Sequence, residues 1–336
     1  MALVKEIKEE GAVSGRFLVT DLQHKTAKNG SAFIAMRIGD RSGEIPMKIW
    51  DIRSDSLPGL SVGRVVELRD AGVRSFNGAL QIEIDGRSLR NLILLNDEEV
   101  AFDDFLPSSP MESSRLWNIF DQAVAEVTNP ALASLLKEFF GDPSLRSAFG
   151  RTPAALKRHH VYVGGLLEHT AGVLNLSLAA ASYYPFIDKD LLITGAIFHD
   201  IGKIRTYHVG RSFEGTDEGR LIGHLVLGTQ MVSELIRRLR ERGETFPVQL
   251  EEMLLHLLIS HHGIMEWGSP VEPLLIEACI LHHADNFDAQ VNKFQEILRN
   301  HGSDEEGWSP FDANLGRSIF MGKIRQEEEK ILEGAE

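Results

Sequence analysis

The hydrophobic period changes once along the chain, and that change limits the fold to two unlike parts. Between residues 12 and 90, apolar and polar positions alternate in short runs rich in β-branched and aromatic residues. The runs at 13–22, 31–39, 44–50, 64–74 and 79–86 read as five strands. Lys28-Asn29-Gly30, Asp40-Arg41-Ser42-Gly43 and Asn77-Gly78 supply turns between them. Five short strands in so small a space predict a small barrel. From residue 115 onward the period is helical. Segments 115–127, 131–140, 161–182, 189–198, 223–242, 250–262 and 273–287 each support an amphipathic or buried helix. Asn129-Pro130, Asp142-Pro143 and Thr152-Pro153 read as helix starts, a capping residue followed by proline in the first turn. The stretch 96–114 carries Asp97, Glu98, Glu99, Asp103 and Asp104, then Pro107-Ser108-Ser109-Pro110, and reads as a linker. Residues 326–336 form an acidic tail.

Charge and cysteine content narrow the function. Cys279 is the single cysteine, which excludes an internal disulfide and any zinc site built from several thiolates. The charged N-terminus is no secretory signal, and no run of about 18 apolar residues predicts a membrane span. A cytoplasmic protein is expected. Net charge is −14, unevenly spread: residues 1–97 hold 14 basic and 13 acidic side chains, and the remainder holds 21 and 36. Such a balance opposes long-range steering onto a polyanion. It does not forbid a local groove or a site whose charge is reversed by bound cations.

Most of the 13 histidines fall in the helical part. His199-Asp200 ends an apolar run and precedes Ile201-Gly202-Lys203. At a helix end an imidazole and a carboxylate can converge on one ion, and the two carboxylate oxygens can serve two ions. His169, His224, His261-His262 and Asp285 extend the set across several helices, an arrangement that encloses divalent metals inside a bundle. Gly263 marks a helix end that lets the rings of His261 and His262 turn inward.

The order His169, His199-Asp200, Asp285 resembles the HD superfamily of metal-dependent phosphohydrolases. His224 with His261-His262 resembles its binuclear members. Carried over by position, the resemblance implies a first metal on His169, His199, Asp200 and Asp285, and a second on Asp200, His224, His261 and His262. Longer strings, among them His159-His160-Val161-Tyr162-Val163-Gly164-Gly165, Thr216–His224, Leu281-His282-His283-Ala284-Asp285 and Trp308-Ser309-Pro310-Phe311, are similar to the YhaM-type 3′–5′ exoribonucleases. That family places an OB-fold ahead of an HD domain. The expected architecture is therefore multidomain: an all-β OB-fold barrel over 1–95, the linker at 96–114 and an all-α HD domain over 115–325. Where the cyclic-dinucleotide branch of the superfamily has Gly-Tyr-Pro after its paired histidines, this chain has Gly263-Ile264-Met265-Glu266.

A metal pair lowers the pKa of a shared water and neutralises phosphoryl oxygens, so no protein nucleophile is needed. Asp200 is the expected catalytic carboxylate. Lys203 is suited to contact a phosphate as a point charge. The nitrogen and oxygen donors favour two ions of Mn²⁺ or Fe²⁺ and admit Zn²⁺, Co²⁺ or Ni²⁺. His159 and His160 are expected at a substrate phosphate or as outer hydrogen-bond donors. His282 is expected behind the ligands, His256 in the core, and Glu168 on a face away from the site.

In the second and third strands, Ile34, Met36, Ile38, Ile45, Met47 and Ile49 share one face, leaving Phe33, Arg37, Lys48 and Trp50 on the other. Aromatic and basic side chains on that face suit a single strand of RNA or DNA, bases stacked and phosphates near cations. Packing of Phe33 and Trp50 against the helical part or another subunit of a homo-oligomer is the alternative. The expected reaction is 3′–5′ hydrolysis of single-stranded RNA, with DNA also admitted, to 5′-mononucleotides. The competing function is hydrolysis of small nucleotides or cyclic dinucleotides with a regulatory barrel. A degenerate, non-catalytic nucleic-acid binder is a third reading, disfavoured by the complete ligand set.

Overall fold

The computed structural model describes residues 3–27, 30–52, 57–76, 79–100, 102–106, 108–109, 111–156, 162–210, 213–300, 307–313 and 315–322. The chain divides into two compact units. One holds residues 1–108 with 209–213, the other 109–208 with 214–336.

The first unit is a closed OB-fold barrel of five strands, β1 (Gly11–Thr26), β2 (Ala32–Asp40), β3 (Gly43–Trp50), β4 (Val65–Phe76) and β5 (Ala79–Asp85), in the order β1-β2-β3-β5-β4 with β4 returning to β1. The closing strand is longer than the 13–22 run suggested, for a geometric reason. Residues 11–18 of β1 pair with β4, and residues 18–26 pair with β2. Irregularities at Val13/Gly15 and Val19/Asp21 bend the strand between its two partners, as bulges do at barrel corners. Short β6 (Leu92–Leu94) adds to β4. Ile34, Met36, Ile38, Ile45, Met47 and Ile49 all lie inside with Phe17, Leu68 and Ile82, so the face assignment in β2 and β3 holds. The stretch expected as a linker is partly folded: 97–99 and 102–104 form 3₁₀ turns, and Phe105 and Leu106 are buried.

The second unit is helical: α1 (Ser113–Ala125), α2 (Pro130–Phe140), α3 (Pro143–Arg151), α4 (Gly165–Tyr183), α5 (Lys189–Phe198), α6 (Lys203–Thr206), α7 (Asp217–Ile222), α8 (His224–Glu241), α9 (Val248–Ser260) and α10 (Ile276–Asn300). A small hairpin, β7 (Tyr207–Val209) and β8 (Phe213–Gly215), lies between α6 and α7. Asn129 and Asp142 cap α2 and α3 as expected, their side chains accepting two backbone N–H groups each. Thr152-Pro153 does the opposite of what its pattern suggested. Thr152 closes α3, extended at ψ 136°, because a residue before proline is pushed out of the helical region. Helix α10 also runs past 287 to Asn300. Buried Asn292 occupies a core-facing position and masks the apolar period there. Among the described residues, no helix is long and apolar enough to cross a membrane.

The helical core centres on α4 and α5. Every residue from Leu191 to Phe198 is buried, which fixes both ends of α5. At its C-terminal end, Phe198 meets Phe139 edge-on at 5.3 Å, and Phe139 meets Phe149 at 5.7 Å. Since Phe198 precedes His199, this aromatic cluster sets where the His199-Asp200 pair begins. Phe139→Ala is expected to cost about 3–5 kcal/mol of stability, measured by denaturant unfolding.

Candidate metal centre

Each candidate ligand comes from a helix end or a buried helix face. His169 lies on the core side of α4. His199 and Asp200 follow α5, His224 opens α8, His261 and His262 follow α9, and Asp285 lies in α10. Gly263, at φ +85°, turns the chain out of α9 directly behind the paired histidines. Gly202 lets the chain after Asp200 approach α8 closely. A Cβ there would stand 2.0 Å from the His224 carbonyl oxygen.

The resulting centre has two adjoining halves. In the first, His169 Nε2 lies 3.3 Å from His199 Nε2, 3.1 Å from Asp285 Oδ1 and 3.5 Å from Asp200 Oδ2. In the second, His224 Nε2 lies 3.2 Å from His262 Nε2. The two halves meet at Asp200. Its Oδ2 faces His169 and His199, and its Oδ1 stands 3.5 Å from His224 Nε2 and 3.7 Å from His261 Nε2. Donor atoms of His169, His199 and Asp200, and separately of His224, His261 and His262, lie within 4.8 Å of one another.

At these distances a facing pair of imidazole nitrogens is satisfied either by one shared proton or by a cation that both ligate. Asp200 Oδ1 and His261 Nε2 are buried without a hydrogen-bond partner among the described residues. An orphaned carboxylate oxygen and an orphaned imidazole nitrogen, aimed into one space, suit a divalent cation and its oxygen ligands. The residues present therefore fit the metal.

The outer edges of the rings are fixed by oxygen acceptors. Nδ1 of His199 donates to the Ala196 carbonyl, Nδ1 of His261 to Leu258, and Nδ1 of His262 to Trp267, each at 2.8 Å. A carbonyl only accepts, so the proton sits on Nδ1 and leaves Nε2 as a free base toward the centre. His282 Nδ1 donates to the His261 carbonyl, also at 2.8 Å, and stands behind the ligands. His169 is held by a residue that the ligand pattern did not indicate: its Nδ1 lies 2.7 Å from Asp288 Oδ2. The signal available was spacing alone, since Asp288 sits one helical turn after Asp285.

Electrostatics follow this geometry. Burial opposes charge on His169, but Asp285 and Asp288 outweigh it and lift its pKa to about 10. His224 and His261 are pushed down chiefly by burial, His224 to about 4. Burial would raise Asp200, yet Lys203 and the surrounding imidazoles hold it well below the usual range. Lys203 is buried rather than solvated, with Nζ 2.5 Å from Asp200 Oδ2. That carboxylate outweighs burial and raises the lysine pKa.

Other candidate residues fall elsewhere. His159 and His160 lie outside the described residues. Glu168 points away from the ligands and takes hydrogen bonds from Ser109 and Tyr162. His256 accepts from the Leu274 backbone N–H. On the barrel, Phe33 and Trp50 lie on the outer face with ring centroids 4.7 Å apart. Lys48 Nζ sits 5.2 Å from the Trp50 ring and 4.5 Å from that of Phe76. Phe76, more than half exposed, joins this face from β4. It was hidden by its position at a strand end before the Asn77-Gly78 turn. Arg37 is on the same face, paired with Glu44 at 2.8 Å.

A family model for the HD domain matches residues 166–290, so the helical unit contains an HD domain, a divalent-metal-binding fold of hydrolytic phosphodiesterases. The chain is 33% identical to the 3′-5′ exoribonuclease YhaM of Bacillus subtilis over 299 residues, 88% of this chain and 90% of that protein. It is 34% identical to YhaM of Listeria monocytogenes over 279 residues, 82% and 84% of the two chains. The chain belongs to the YhaM family of HD-type exoribonucleases. Solved structures similar in part include the HD domain of L. monocytogenes phosphodiesterase PgpH, 18% identical with a TM-score of 0.25, covering 49% of this chain and 74% of that one. The OB domain of MM0293 from Methanosarcina mazei is 25% identical with a TM-score of 0.22, covering 27% and 78%.

Asp288→Ala is expected to weaken metal binding about 10–100-fold. Gly172→Ala should act in the same direction, because its Cβ would stand 2.2 Å from Asp288 Oδ1 and displace that carboxylate from His169. Titration against a competing chelator measures both.

Proposed function

We propose that this protein is a metal-dependent 3′–5′ exonuclease of single-stranded RNA, releasing 5′-mononucleotides. The observation that supports it most is the pair of ligand clusters sharing Asp200, in a chain that matches curated 3′-5′ exoribonucleases along most of its length. We assign His169, His199, Asp200 and Asp285 to one ion and Asp200, His224, His261 and His262 to the other, with Mn²⁺ or Fe²⁺ favoured by the donor set. Bound divalent ions would supply Lewis acidity to the phosphoryl group and make a water more acidic.

The protein's own groups do the rest. The carbonyls of Ala196, Leu258 and Trp267 hold the Nδ1–H of three imidazoles and so turn their Nε2 atoms toward the centre. Lys203 balances Asp200 in the absence of substrate and is placed to meet a phosphate oxygen as a compact cation. No serine or cysteine nucleophile is needed. The barrel, assigned to residues 1–95, serves as the strand guide. Phe33, Trp50 and Phe76 offer faces to bases, and Lys48 lies among them. Arg37 contributes less to this field because Glu44 neutralises it. Residues 115–325 form the catalytic part, linked through 96–114. With a single cysteine in the whole sequence, we assign the protein to the reducing cytoplasm.

With 5′-labelled single-stranded RNA and Mn²⁺, the wild-type protein is expected to produce a ladder shortening from the 3′ end. Asp200→Ala should abolish the ladder. Intact RNA with metal-replete wild-type protein would instead point to a small-nucleotide phosphohydrolase. Trp50→Ala is expected to weaken binding of single-stranded RNA by about 1–3 kcal/mol, read by fluorescence anisotropy.

A further inference from the structure

The turn after α9 carries a feature the ligand chemistry does not use. Met265–Trp267 form one 3₁₀ turn, closed by Gly268 in the left-handed region at φ +97°. Backbone bonds from Trp267 N to Ile264 O (3.1 Å) and from Ser269 N to the same oxygen (3.3 Å) make it firm. The Trp267 carbonyl is the acceptor that turns His262. Its indole, by contrast, is 54% exposed, beside Met265 at 66%. The ring stands 6.1 Å from that of His282, whose Nδ1 is bound to the His261 carbonyl. One residue thus orients a ligand with its main chain and presents a large flat π-surface to solvent on the neighbouring edge. The turn is preorganised, so the ring loses little freedom when something lies against it.

We propose that Trp267 stacks on the base of the 3′-terminal nucleotide while its phosphodiester lies at the histidine-aspartate centre. The inference rests on the exonuclease reading above. It makes Trp267 a substrate-positioning residue that fixes where the chain end stops. A nucleobase fits this surface because every base has a π-face, and stacking tolerates all four, as an enzyme that meets each base in turn at the chain end requires. The terminal nucleoside is bonded directly to the reacting phosphate, so a ring on the residue whose carbonyl holds His262 is within the reach of that nucleoside's base. Because the carbonyl belongs to the backbone, replacing the side chain leaves the His262 hydrogen bond in place. The ligand set and the ring can therefore be separated by mutation.

The test uses the full-length protein with Mn²⁺ and two single-stranded RNAs, one ordinary and one abasic at its 3′-terminal nucleotide. Wild type is expected to prefer the ordinary end by roughly tenfold to a hundredfold in kcat/KM. Trp267→Ala should lose most of that preference, through KM more than kcat, and Trp267→Phe should keep it. Metal content measured on each variant should match wild type. Binding of a phosphorothioate-ended RNA, which resists hydrolysis, should quench indole fluorescence in wild type and quench it less in Trp267→Phe. An undiminished preference in metal-loaded Trp267→Ala would overturn the stacking role and leave the exonuclease reading intact. Failure of the wild type to shorten either RNA would overturn the exonuclease reading and the stacking role with it.

Discussion

The structure depends on one buried carboxylate. Asp200 is nearly inaccessible, held ionised, and splits its two oxygens between two histidine groups. Its Oδ2 has Lys203; its Oδ1 has no hydrogen-bond partner among the described residues. Removing a charge from water costs on the order of several kcal/mol unless it is matched. One ammonium matches one oxygen. The other faces the imidazole nitrogens of His224 and His261 at 3.5 and 3.7 Å, and His261, with its proton on Nδ1, turns a lone pair toward it. A second positive charge at that point resolves the conflict.

That arrangement explains why His199 and His261 lie where helices stop. A helix interior engages its own backbone acceptors, whereas its last turn leaves carbonyls without intrahelical donors. His199 and His261 each use the carbonyl three residues back to hold Nδ1. The same orphan acceptor that a helix end must satisfy thus becomes the device that aims Nε2 inward. His169 lies inside α4, where no such acceptor is free, and a carboxylate from α10 supplies one instead. Gly172, one turn further along α4, leaves the space that this carboxylate occupies.

Much of this was legible in the sequence. The change of period separated barrel from bundle, and alternation in 31–39 and 44–50 identified the inward isoleucines and methionines. His199-Asp200 and His261-His262-Gly263 disclosed themselves as polar pairs closing apolar helices. What stayed hidden was long-range or main-chain in origin. Asp288 reaches His169 across 119 residues, and its place one turn after Asp285 was the one local sign of it. The Ala196, Leu258 and Trp267 carbonyls have no signature in a side-chain pattern. The two pairing partners of β1 lengthen it beyond its alternating stretch. Thr152-Pro153 misled because the same dipeptide can end a helix or begin one; the fold decides which.

Net charge, finally, gave the least direct guide to the chemistry. An overall −14 suggests a surface that repels polyanions, yet the acidic excess lies outside the first 97 residues. Within the centre the acidic groups belong to the ligand set or stand behind it, so their charge is turned inward to cations and imidazoles. The barrel is close to neutral, and its outer face groups three aromatic rings around Lys48. On the proposed reading, this face would hold a single strand by stacking on its rings, with Lys48 as the cation beside them.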